Sequence, residues 1–202
     1  MADPRDVGVL ILAGGEATRL PNKLGLAIGG TPLLVRVYHN VSKGRPTFVS
    51  CKGTFPPEID AELACPMIVD RWPVRGPLAG MLSAMAEMPT PLVFAVAGDA
   101  PFVDAALIDR LADAWQEGDE AVVPVHPTAR GETLEPLAAL YDREAFLREG
   151  TPVLDGGDAS LLGTIARLRA RKLPFTAAEA TIFANVNTPD DYAATLARTA
   201  TG

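Results

Sequence analysis

The chain has 202 residues, 48% hydrophobic and 21% charged, with a net charge of −7. That length suffices for one α/β domain over residues 1–202 with a substantial core, and the acidic balance argues against a surface that coats nucleic acid. No apolar run approaches the length that spans a bilayer, and the N-terminal one is too short, and too soon interrupted by Gly14-Gly15, for a signal peptide. A cytoplasmic protein with neither a nucleic-acid nor a membrane partner is expected.

Cys51 and Cys65 match no metal or redox spacing, and His39 and His126 are too far apart in sequence for a zinc site or a His-based triad. Chemistry must rest on carboxylates, amides, cations and a hard metal ion.

In chain order, Val7 to Leu12 reads as a buried parallel strand. It stops at Gly14-Gly15, where backbone N–H groups can approach an anion because no Cβ intervenes. Arg19 and Lys23 follow and can balance an anion's charge, so the simplest ligand for this stretch is a polyphosphate. The spacing is neither a Walker A loop nor Gly-x-Gly-x-x-Gly. Thr31 is expected to cap a helix with Pro32 at its first position. Thr47 to Cys51 reads as a strand, Glu58 to Ala64 as a helix, and Met67 to Val69 as a strand ending at Asp70.

Gly76-Pro77 opens a helix whose buried stripe is Leu78, Met81, Leu82 and Met85. Pro91 to Ala97 is the most apolar strand and ends at Gly98-Asp99. Val103 to Trp115 reads as an amphipathic helix and Ala121 to Val125 as a strand. His126 to Thr133 reads as an exposed loop, and Leu134 to Tyr141 as an edge or irregular strand, because Pro136 cannot donate to a ladder. Arg143 to Glu149 reads as a short helix. Asp158 is expected to cap a helix over Ala159 to Ala170, and Thr181 to Val186 to form a last strand. Asn187-Thr188-Pro189 caps a terminal helix over Asp190 to Arg198, with acids in its first turn where the dipole favours them.

Alternation of strands and helices over the first two thirds favours an open, mostly parallel sheet covered on both faces. Ligands bind such sheets at the carboxyl ends of strands, and Gly14, Asp70 and Asp99 all stand at such ends. Asp99, leaving an apolar strand opposite a phosphate loop, suits Mg²⁺, which takes one or two carboxylates plus substrate phosphates. Asp70 can accept hydrogen bonds from a base or a ribose. Asn185 and Asn187, two apart, face one side of an extended stretch, and Asn187 can cap the last helix or lend its carbonyl oxygen to the metal.

Leu12-Ala13-Gly14-Gly15 with Arg19 and Lys23, Gly76-Pro77-Leu78-Ala79-Gly80, Gly98-Asp99-Ala100-Pro101-Phe102, Glu135-Pro136-Leu137 and Asn185-Val186-Asn187-Thr188-Pro189-Asp190 stand in order. Together they resemble the MobA-like nucleotidyltransferases, most closely the molybdenum cofactor guanylyltransferases, over nearly the whole chain. The resemblance implies a three-layer α/β Rossmann-like nucleotidyltransferase fold. It implies an enzyme that transfers GMP from GTP to the phosphate of Mo-molybdopterin and releases pyrophosphate. It also implies transient contact with cofactor-insertion or cofactor-delivery proteins. Leu12, Ala13, Gly14 and Gly15 would lie against GTP, Lys23 would bind its phosphates, Gly76 and Asp70 would contact the nucleotide, and Asp99 would hold nucleotide and Mg²⁺. Arg19, Lys23 and Asp99 would carry catalysis, and Asn185 and Asn187 would lie by the acceptor or the metal.

Two departures from the family pattern stand out: Pro21-Asn22 where Gly and Asp are usual, and Lys52 where an Asn is usual. The rival readings are a related transferase using CTP or a sugar- or polyol-phosphate acceptor, and a non-catalytic GTP-binding module.

Overall fold

The computed structural model describes residues 6–14, 20–72, 76–129 and 131–200. The first apolar run forms β1 (Val7–Leu12). A 3₁₀ turn at Lys23–Gly25 follows, then β2 (Ala27–Ile28) and β3 (Thr31–Pro32), which pair antiparallel across Gly29-Gly30. Thr31 is therefore not a helix cap. It is committed to this hairpin, and α1 (Leu33–Ser42) starts directly after Pro32.

The next six elements come where the periodicity puts them: β4 (Thr47–Cys51), α2 (Pro57–Asp60), β5 (Met67–Val69), α3 (Pro77–Met85), β6 (Leu92–Ala97) and α4 (Ala105–Ala114). Of these, α2 is a single turn. Helix α4 starts later than Val103 because Asp104 caps it, its carboxylate accepting from the Leu107 N–H at 3.1 Å.

The second half departs further from expectation. β7 (Ala121–Thr128) and β8 (Gly131–Leu134) form a hairpin where an exposed loop was expected. Its backbone groups satisfy one another although its side chains are polar and mostly exposed. β9 (Ala138–Asp142) begins only after the Glu135-Pro136-Leu137 kink, so Pro136 interrupts no ladder and β9 sits inside the sheet rather than at its edge. α5 (Arg143–Asp155) runs beyond Glu149.

Ser160, not Asp158, caps α6 (Leu161–Ile165); the Asp158 carboxylate instead accepts from the Ser160 N–H at 2.9 Å. The chain then turns into β10 (Ala170–Pro174), whose parallel ladder with β7 takes up backbone groups that a continued helix would have used. Thr181–Val186 is not a strand either: Glu179–Phe183 is a 3₁₀ helix. It is nucleated where Thr176 and Glu179 bond each other reciprocally, N–H to carboxylate at 2.7 Å and N–H to hydroxyl at 3.3 Å. α7 (Pro189–Ala200) closes the chain.

The sheet order is β10-β7-β9-β6-β1-β4-β5, with β8 also paired to β7. All pairings are parallel except those of β9 with β6 and β7 and of β8 with β7. The period-2 alternation of the strands builds two cores. Val9, Ile11, Phe94 and Val96 face α1 and α4, whereas Leu10, Val93 and Ala95 face α3 and α5. Helices thus cover both faces, as expected of a three-layer α/β fold. Among the described residues no helix is long and apolar enough to cross a membrane.

Candidate active site

A cavity of about 450 Å³ opens at the carboxyl ends of the parallel strands. β1 contributes Leu12, Ala13 and Gly14; β4 contributes Ser50 and, just beyond it, Lys52; Asp70 follows β5; Ala97 and Asp99 end β6. Backbone hydrogen bonds hold these ends in register. Ala13 N–H donates to the Ser50 carbonyl at 2.8 Å, Gly98 N–H to the Leu12 carbonyl at 2.9 Å and Asp70 N–H to the Cys51 carbonyl at 2.9 Å. Leu137, entering β9, closes one side, its carbonyl accepting from Ala97 N–H at 3.3 Å.

The floor is the start of α3. Gly76 has φ +141°, a conformation that favours glycine, and Pro77 follows at the first helical position. One turn on, a Cβ at Gly80 would stand 2.9 Å from Ser50 Oγ and 3.2 Å from Leu12 Cδ2. The helix can approach β1 and β4 this closely only because that side chain is missing.

At one end of the cavity Lys23 Nζ pairs with Asp99 Oδ2 and donates to Asn187 Oδ1 at 2.9 Å. The side chains of Lys23 and Asp99 are only 15% and 13% exposed, so the pair is weakly screened by solvent. Val186 N–H donates to the Asp99 carbonyl at 2.9 Å and fastens the 184–188 segment beside β6. Thr188 begins α7, its hydroxyl accepting from Asp191 N–H at 3.1 Å, while the Asp191 carboxylate accepts from the backbone of Asn187 and Thr188. That reciprocal cap leaves the Asn187 side chain facing the cavity instead of capping the helix.

Asp70 is held from behind at the other end. Its Oδ1 accepts from Trp72 N–H at 3.1 Å and from Ser83 Oγ at 3.0 Å, and Ser83 Oγ in turn accepts from Arg71 N–H at 3.1 Å. Ser83 is a buried hydroxyl on the otherwise apolar α3. A lone Ser in a helix buried all round is the sequence sign by which this support could have been found. Ser50 escaped notice, and Lys52 was marked only as a departure from the family pattern, because β4 ends without an acid; their place at the cavity follows from the pairing of β4 with β1.

Of the expected site residues, Leu12, Ala13, Gly14, Lys23, Asp70, Gly76, Asp99, Asn185 and Asn187 all line this one cavity. Gly15 and Arg19 lie outside the described residues. The thiols play no part here: Cys51 and Cys65 are unpaired, and burial pushes the Cys65 thiol up to about 11.

As donors, Asp99 Oδ2 and Asn187 Oδ1 are two hard oxygens converging on one cationic point, which fits a Mg²⁺ ion that draws its remaining ligands from substrate phosphates and water. Among the described residues no three or more His, Cys, Asp or Glu side chains gather into a closed metal cage.

The chain is similar to known proteins in sequence and in fold. The chain is 32% identical over 206 residues to a molybdenum cofactor guanylyltransferase of Cupriavidus taiwanensis, covering 96% of this chain and 98% of that one. It is 29% identical over 165 residues to a probable molybdenum cofactor guanylyltransferase of Natronomonas pharaonis, covering 79% of each. In fold it matches the molybdopterin-guanine dinucleotide biosynthesis protein A of Archaeoglobus fulgidus with a TM-score of 0.80 at 24% identity, over 96% of this chain and all of that one. The MobA-like NTP transferase domain matches residues 9–171, and the chain belongs to that family.

Proposed function

We propose that the protein is a cytoplasmic guanylyltransferase that moves GMP from GTP onto the terminal phosphate of a molybdopterin and releases pyrophosphate. The observation that carries this reading is the cavity with a cation–carboxylate–amide cluster at one end and a braced carboxylate, Asp70, at the other. The curated relatives bear the matching name over nearly their full length.

An oxygen of the acceptor phosphate attacks the α-phosphorus of GTP. A new P–O bond forms, the bond from the α-phosphorus to the bridging oxygen breaks, and pyrophosphate leaves with that electron pair. Both the attacking group and the leaving group are already anionic, so the step needs alignment and charge neutralisation more than a proton carrier. That suits a cavity whose lining, among the described residues, holds no histidine. Gly14 offers backbone to the phosphates at the end of β1, and by their sequence pattern Gly15 and Arg19 are assigned to the same anion. Lys23 offsets charge on the departing pyrophosphate. Asp70, its Oδ1 already taken, presents Oδ2 to the base or ribose. Asp99 and Asn187 would hold a Mg²⁺ ion, which when bound neutralises phosphate charge and screens the two reacting groups from each other.

Pyrophosphate release measured with GTP, Mg²⁺ and molybdopterin tests the reading. Release that depends on both substrates is expected. A thermal-shift comparison of the four nucleoside triphosphates with Mg²⁺ tests the base, because a ligand bound only by the native state raises its stability. A larger shift with CTP than with GTP would overturn the guanine assignment, and GTP binding with no pyrophosphate release on adding molybdopterin would overturn the enzyme.

A further inference from the structure

We infer that the Lys23 ammonium occupies the divalent-cation position of the nucleotide-free protein, and that the triphosphate admits the metal by drawing Lys23 off. The inference rests on the reading of Asp99 as a metal ligand. The geometry is that of an exchangeable cation. Nζ bonds both hard oxygens at this end of the cavity, Asp99 Oδ2 and Asn187 Oδ1.

The two oxygens are fixed by backbone. The Val186 N–H to Asp99 carbonyl bond sets them side by side, and Asn187 N–H is held at 3.0 Å by the Asp191 carboxylate. The cation is the adaptable partner, a point charge on a four-carbon stem with freely rotating donors. It projects from a short 3₁₀ turn entered through Asn22 at φ 53°.

An ammonium and a divalent ion cannot share the same two oxygens, since each repels the other at close range. These two oxygens therefore hold one cation at a time until a polyanion arrives. A triphosphate at Gly14 offers Lys23 an alternative anion, and the carboxylate it leaves is then free for the ion that comes with the phosphates. Metal affinity is tied to nucleotide occupancy, and by linkage nucleotide affinity is tied to the metal to the same extent. Stray divalent ions are kept out of the empty protein, because binding them must first break the Lys23 pair.

The test uses Mn²⁺ alone as the probe, with the loss of the free-ion EPR signal as readout and no nucleotide present. Wild type is expected to bind Mn²⁺ weakly, and Lys23→Met to bind it about tenfold or more tightly. Lys23→Gln, which keeps a hydrogen-bond donor for Asp99 without the charge, is expected to gain affinity too and stands in should the Met variant unfold. Equal Mn²⁺ affinity in wild type and in the folded Lys23 variant overturns the exchange. Adding Asp99→Asn to the Lys23 variant is expected to abolish the gain. A gain that survives it puts the ion elsewhere and overturns the reading of Asp99 itself, so the two failures are told apart.

Discussion

The two halves of the sheet handle charge in opposite ways. In the half built on β1, β4, β5 and β6, polar side chains collect at the carboxyl edge, and their bonds converge on a space. In the half built on β7, β9 and β10, ionic groups close on each other. Glu120, 7% exposed, accepts from the Arg148 guanidinium at 2.7 Å and from Arg169 N–H at 2.9 Å, and lies 3.0 Å from the Arg169 guanidinium. Asp119 pairs with Arg171 at 2.6 Å. The same residue types brace the edge of the fold in one place and remain available to a guest in the other. What separates them is the surroundings of the acid: two guanidinium groups and a backbone N–H close on Glu120, whereas Asp99 lines a cavity.

The comparison can be broken most directly at Asp99. Asp99→Ala is expected to lower guanylyl transfer by about 10²–10³-fold, as does loss of a principal electrostatic stabiliser, with little change in the thermal midpoint. A variant that lost several degrees of stability and kept its turnover would make Asp99 a structural brace like Glu120. Gly80→Val should strike both properties, since the added Cβ falls on Ser50 Oγ and Leu12. Overpacking of this kind costs about 1–3 kcal/mol, read from the denaturant midpoint, and the wedge would push α3, the cavity floor, off β1 and β4 and weaken nucleotide binding.

Glu120→Gln should do the reverse of Asp99→Ala: about 1–3 kcal/mol of stability lost, with turnover per folded molecule unchanged. Its pH dependence sharpens the contrast. Burial alone would raise the Glu120 carboxyl, but the Arg169 N–H and the two guanidinium groups outweigh it and hold it below the ordinary range. A depressed folded pKa gives stability that is full above the unfolded value and fades as pH falls through the folded one. Wild type should therefore lose stability on acidification below about pH 4.5, and the Gln variant should lose less.

The smallest effect belongs to Glu179. The Thr176 N–H and hydroxyl, then Arg110, lower its carboxyl to about 2. This group is exposed, so Glu179→Gln should loosen only the 176–183 turn, seen as faster amide exchange there and only as pH stays above that value.

How much of this could be read from the residues follows from what each element buries. β1 and β6 announce themselves because they carry apolar runs into the core, and Gly14, Asp70 and Asp99, just past the ends of β1, β5 and β6, mark the cavity. β10 is the opposite case. Ala-Arg-Lys-Leu-Pro is an edge strand with cations along it, and Leu161, Ile165 and Leu168 just before it keep helical spacing. Only the pairing with β7 makes it a strand, and that partner is distant in sequence. Thr181-Ile182-Phe183 carries strand-forming side chains, but the Thr176–Glu179 bonds decide its turn. In the site, Gly14, Asp70 and Asp99 were legible from their places at strand ends, and Lys23 as a cation following the glycine pair. Ser83 and Ser50 were not, because nothing local says that α3 and β4 lie against the same space.

The backward course of β9 has an evolutionary consequence. Since it runs against its neighbours, its first residue rather than its last reaches the rim, at Leu137, fed by the β7–β8 hairpin. Residues added or removed near Gly131 would reshape that rim while the glycine turn and Asp99 keep their register on β1 and β6. A lineage could thus retailor that rim without disturbing the strand ends that carry Gly14 and Asp99.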